Sequence, residues 1–189
     1  MEALEQSVFR GRLVSRTLVH PGPFNPIRIT SLQAQRARHF RMNLVAGLSL
    51  FDALIRPLQL VGVKNASTTI IGVQFERLSY CVAPPDPSRS AVIAYTKPIC
   101  AGKAYMMFGN ATIGNDGKSN PIVHCHAAIR TSAGGLKGGH IITHESIIGQ
   151  CATGVVLVTT LDDFDLQVAF DPETNISLLQ PIDGAKMYV

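Results

Sequence analysis

Apolar and polar positions alternate over short stretches through most of this chain, and fall at helical spacing only once. In the helical stretch Leu50, Phe51, Leu54, Ile55 and Leu58 recur at one-, three- and four-residue steps, the stripe of an amphipathic helix. Ser49 is suited to cap it, and Asp52 stands at its third position. Pro57 opposes it, because an interior proline removes a hydrogen bond and costs about 3 kcal/mol. The expectation is a helix that kinks, ends early or has an irregular last turn. Residues 41–45 have strand character ahead of it. After it, residues 67–73, 75–82, 90–95, 104–113, 121–129, 139–148, 154–160 and 164–170 read as strands. Asn115-Asp116-Gly117 and Ala133-Gly134-Gly135 are turn signals, and the proline-rich residues 83–88 form a loop. One main helix, six to eight short strands and no internal repeat predict an α/β (α+β) fold. Its sheet would be antiparallel or mixed, with the helix packed on it.

Length and composition narrow the class. At 189 residues, 46% apolar and 16% charged, the chain suits one domain with a real core rather than disorder. Residues 1–38 are expected to form an arm, 39–180 the compact domain and 181–189 a tail. No apolar run reaches a membrane span, and the first residues lack the pattern of a secretory signal. Cys81, Cys100, Cys125 and Cys151 are widely spaced, as expected for thiols in a reducing, cytoplasmic setting.

The net charge of +4 is unevenly spread. Arg10, Arg12, Arg16, Arg28, Arg36, Arg38 and Arg41 lie between Gln6 and Phe51 with no acidic residue among them. Such a segment suits phosphate, an acidic partner or a small anion, and equally a solvated arm or carboxylates of a neighbouring subunit.

The chemistry concentrates in His124-Cys125-His126 and Gly138-Gly139-His140. On a strand His124 and His126 share a face, about 7 Å apart along the chain. Residues 131–135 are turn-like. A five-residue hairpin loop there sets His126 opposite His140. A glycine bulge at Gly138-Gly139 would alter that register, and those glycines would also let the backbone approach a ligand. Three neutral imidazoles with an open position describe a zinc-like or other transition-metal site. The alternative is three unconnected histidines satisfied by backbone or water. His144 is a possible fourth ligand, and Glu145 a possible orienting carboxylate or catalytic base. Tyr80, Tyr95 and Tyr105 could line a pocket or simply pack.

The run His124-x-His126-Ala127 followed by Gly138-Gly139-His140-Ile141 resembles the signature of the PPC (plants and prokaryotes conserved) domain. Residues 47–54 resemble that family's helix entry, 66–80 its glycine-containing strand pair and 170–179 its ending. The resemblance covers about residues 39–180. It implies an α/β sandwich and a homotrimer, with His124, His126 and His140 as metal ligands near subunit boundaries. The chain departs from the family in several places. Leu13 follows Arg10-Gly11-Arg12 where an AT-hook needs proline, and the plant-type Gly-Arg-Phe-Glu-Ile-Leu run is missing near Lys103. Two extra residues follow His140 if Glu145 matches the family glutamate. The arginine-rich arm and the Pro84–Pro87 loop are unlike the minimal bacterial form.

Three functions follow in order. The first is a metal-binding ligand or regulatory module taking a small anionic or carbonyl compound. The second is a metal-dependent hydrolase or lyase with Glu145 as base. The third is a DNA-binding protein using the arm. The absence of an evident nucleophile–base pair puts the module ahead of the enzyme.

Overall fold

In the computed structural model, which describes residues 18–151 and 154–182, nine strands form one sheet with one helix packed against it. The elements are β1 (His39–Asn43), α1 (Leu50–Leu60), β2 (Ala66–Cys81), β3 (Ile99–Asn115), β4 (Pro121–Thr131), β5 (Leu136–Ile141), β6 (Ile147–Ile148), β7 (Val155–Thr160), β8 (Asp165–Asp171) and β9 (Ile176–Ile182). The main order is β1-β7-β2-β5-β4-β3-β8-β9, and β2 also pairs with β3 and β6. Strands β2, β3, β4 and β5 therefore close a circuit. All pairs are antiparallel except a single parallel contact of β3 with β8. The sheet is thus mixed, as the strand count and turns predict.

The helix begins where the cap predicts. The Ser49 hydroxyl accepts from the Asp52 N–H at 3.0 Å and donates to its carboxylate at 2.8 Å. That contact holds the Asp52 carboxyl below its ordinary pKa, with Arg56 adding to the effect. Pro57 does not end the helix: it continues through Leu60. Leu58, one residue beyond the proline, is buried with Leu50, Ala53, Leu54 and Ile55. Burial of each large side chain is worth about 1.5–3 kcal/mol, enough to offset the proline's cost.

Several other expectations change. The stretch 139–148 is not one strand but holds the end of β5 and all of β6, with a turn at residues 143–145. Residues 67–73 and 75–82 are one continuous strand, with irregular register between Phe75 and Ser79. Gly72 takes a positive φ of 71° within β2, and the strand runs on through Gln74, where the break was expected. Residues 90–95 are not a strand. They form part of an excursion between β2 and β3 that carries only an isolated bridge between Pro85 and Ile93. Asp86 organises it, accepting from the N–H groups of Ser88, Ser90 and Ala91 and from both serine hydroxyls. Short side-chain-to-backbone bonds of this kind compete with strand pairing. β9 was not foreseen as a strand. It is an edge strand, where Pro181 is tolerated, and it reaches two residues into the segment read as a tail.

The described part of the arm is tied down at two places. Glu173, in the β8–β9 turn, accepts from the Asn25 N–H and from Arg28 at 2.6 Å, and lies 2.7 Å from His20 Nδ1. Nearer β1, Arg38 forks onto Asp162, and the N–H groups of Gln35 and Arg36 donate to Asp163. Arg10, Arg12 and Arg16 lie outside the described residues.

Candidate metal centre

Strand alternation places the histidines. Val123, Cys125 and Ile129 of β4 are buried in the core, so His124 and His126 point to the opposite face. Cys125 is the inward residue between them, and burial pushes its thiol up to about 12. The hairpin turns as predicted: Arg130 pairs with Leu136, and His126 lies directly across from His140. The register passes through Gly138 and Gly139 without a shift. The alternative of a glycine bulge is therefore excluded, and Gly139 serves another purpose. A Cβ at Gly139 would stand 2.3 Å from the Cys81 carbonyl oxygen. Its absence lets β5 close against β2, where Cys81 pairs with His140 and Tyr80 with Ile141.

The three imidazoles converge. Ring centroids are 4.8 Å apart for His124 and His126, 4.7 Å for His124 and His140, and 5.5 Å for His126 and His140. One ring nitrogen from each lies within 4.8 Å of the others. With metal–nitrogen distances of about 2 Å, such nitrogens fit around one ion. Nδ1 of His140 is buried and has no hydrogen-bond partner among the described residues. An orphaned buried nitrogen is costly unless something occupies it. Burial, and then the charges of His124 and His126, lowers the pKa of His140 to about 4. Burial and the neighbouring His126 lower that of His124 as well. Rings that stay unprotonated at neutral pH are what ligation requires. The residues present thus fit a divalent metal.

The other candidates lie apart. His144 is exposed and stacks on Phe51, with centroids 3.8 Å apart. It is not a member of the converging group, nor is Glu145. Glu145 is exposed, and its main-chain carbonyl accepts from Arg77. Of the tyrosines, Tyr80 is buried and Tyr105 lines a surface cavity of about 410 Å³ with Arg130 and Lys103. Tyr95 packs tilted against His140, with centroids 5.5 Å apart. Its position came from no local pattern, because the excursion carrying it is joined to the site only through long-range contacts.

The histidines stand at one end of a row of cross-strand neighbours on the exposed sheet face: His140, His126, Asn110, Thr69 and Leu157. In the next row Ala128, Phe108 and Ile71 face each other. Leu157, Phe108 and Ile71 are each more than two-fifths exposed.

No family model and no curated protein matches this chain. Solved structures do. A metal-containing protein from Archaeoglobus fulgidus superposes with a TM-score of 0.58 at 17% identity, covering 82% of this chain and 99% of that one. A plant- and prokaryote-conserved (PPC) protein from Pyrococcus horikoshii gives 0.57 at 16% identity, with coverage of 82% and 99%. A candidate DNA-binding protein from Ralstonia eutropha JMP134 gives 0.56 at 20% identity, with coverage of 74% and 89%. At these identities the likeness is one of fold.

Proposed function

Taking as premise that this chain is a PPC-like domain by fold, we propose that it binds a divalent transition metal of the zinc type through His124, His126 and His140. On this reading it acts as a homotrimeric ligand-binding or regulatory module. The observation that carries the reading is the convergence of three ring nitrogens within 4.8 Å, one ring having an orphaned buried nitrogen. The metal-containing protein from Archaeoglobus fulgidus supports it through the shared fold. When bound, such an ion offers Lewis-acid charge and an open coordination position. The chain's own burial keeps His124 and His140 unprotonated, and the strand pairing aims all three rings at one point. A small anionic or carbonyl ligand suits the open position.

The trimer is supported by the uncovered sheet face, where Ile71, Phe108 and Leu157 leave apolar surface beside the histidines. A cytoplasmic setting is supported by four unpaired cysteines, and among the described residues no helix is long and apolar enough to cross a membrane. Nucleic acid is a weaker reading. The candidate DNA-binding relative shares the fold, but Arg28 and Arg38 are already paired with Glu173 and Asp162.

The test is metal analysis of the purified full chain against His124→Ala/His126→Ala. Both side chains lie off the core, so the variant should keep its thermal unfolding curve while losing bound metal. Metal content unchanged in the double variant would overturn the reading.

A further inference from the structure

Tyr95 is held with care for a residue that buries so little. Its neighbours are fixed on both sides: the Ala94 N–H donates to the Pro84 carbonyl at 3.0 Å and the Thr96 N–H to the Val82 carbonyl at 2.9 Å. The Thr96 hydroxyl accepts from the Val82 N–H in return. The excursion is also fastened to the β8–β9 turn. The Val92 N–H donates to the Thr174 carbonyl at 2.8 Å, and the Asn175 side chain to the Ser90 carbonyl at 3.1 Å. All this scaffolding sets one ring beside His140. Yet the residue is 53% exposed, and among the described residues its hydroxyl makes no hydrogen bond. A tyrosine kept only for packing would bury its ring. This one carries a free donor on a ring packed against His140.

Charge indicates what the donor would meet. The converging group contains three histidines and no carboxylate. Three neutral imidazoles leave a divalent ion's charge uncompensated, so the site as a whole favours an anion. A phenol is a neutral O–H donor at neutral pH. A protonated phenol next to a cationic centre can donate to an anionic oxygen without repelling it.

We propose that Tyr95 is the ligand-contacting residue of the histidine centre, its hydroxyl donating to an oxygen of a small carboxylate bound there. This rests on the metal reading above. It goes further by naming the ligand class and the residue that selects it.

The experiment uses the full chain loaded with Co(II), whose visible spectrum reports coordination, titrated with acetate. Wild type should show a saturable spectral change. Tyr95→Phe should keep the same metal content and the same acetate-free spectrum, with acetate binding weakened about tenfold, the scale of one hydrogen bond to a charged group. Equal acetate affinity in Tyr95→Phe, or no acetate response in wild type, overturns the Tyr95 assignment and leaves the metal reading standing. Loss of metal from Tyr95→Phe also overturns it, because the residue would then be supporting His140 rather than a ligand. Failure of wild type to bind Co(II), or binding that survives His124→Ala/His126→Ala, overturns the metal reading and this one with it.

Discussion

Gly139→Ala asks whether the closeness of two strands is what aims His140. The new methyl would stand 2.3 Å from the Cys81 carbonyl oxygen, where ordinary contact begins at 3.4 Å. The nearest atom is a backbone oxygen at the end of β2, paired there with β5, and cannot swing aside as a side chain would. β5 must therefore withdraw by about 1 Å, loosening the Cys81–His140 and Tyr80–Ile141 pairs. Ile141 is fully buried, so the core feels the same shift. Overpacking of this kind costs about 1–3 kcal/mol. The effect on the centre should be larger in proportion, because metal–ligand distances tolerate only about 0.2 Å. Urea unfolding of the metal-free protein measures the first quantity, and competition for Co(II) against a chelator measures the second. Gly135→Ala is the control: its methyl would meet Thr131 at an ordinary 3.5 Å. A Gly139→Ala protein matching Gly135→Ala in both stability and metal affinity would refute the claim that β5's approach to β2 positions His140.

Acid should weaken the metal-free protein through its histidines. The folded-state pKa of His140 is about 4 against an ordinary 6.5, so the unfolded chain takes up a proton first as pH falls. The histidine contribution to unfolding free energy should be lost between about 6.5 and 4, with His124 adding in the same direction. The check is urea unfolding across that range, where His140→Ala should show a shallower fall; parallel curves would contradict the account. Glu173 is the fastening point of the arm, its pKa held down to about 2 by His20, Arg28 and the Asn25 N–H. Glu173→Gln should therefore speed proteolysis within residues 20–30 while the core's unfolding midpoint holds. Unchanged cleavage would mean that other contacts hold the arm.

The legible parts of this chain were those governed by local rules. Ser49 and Asp52 announced the helix start, and the hairpin of β4 and β5 followed from a turn signal and strand alternation, which together faced His126 with His140. Gly138 and Gly139 drew attention for the wrong reason. Gly139 stands against the Cys81 carbonyl, supplied by a strand more than fifty residues earlier. The split reading of β2 at Gln74 failed because β3 pairs continuously across that point, with Gln74 opposite Tyr105. Residues 90–95 alternate like a strand, but Asp86 captures their backbone first. Tyr95 beside His140 and Glu173 beside His20 and Arg28 had no local signature. Each is a meeting of segments brought together only by the completed sheet.

The clasp at Glu173 has a further consequence. One carboxylate anchors the leader, and the same turn, through Thr174 and Asn175, steadies the excursion that carries Tyr95. Injury to this junction would travel along the main chain and surface as an apparent fault in the histidine face, with every imidazole intact. Variants that silence the protein should thus gather in two separate neighbourhoods, and the second, around residues 171–175, would look innocent to anyone ranking positions by distance from the three histidines.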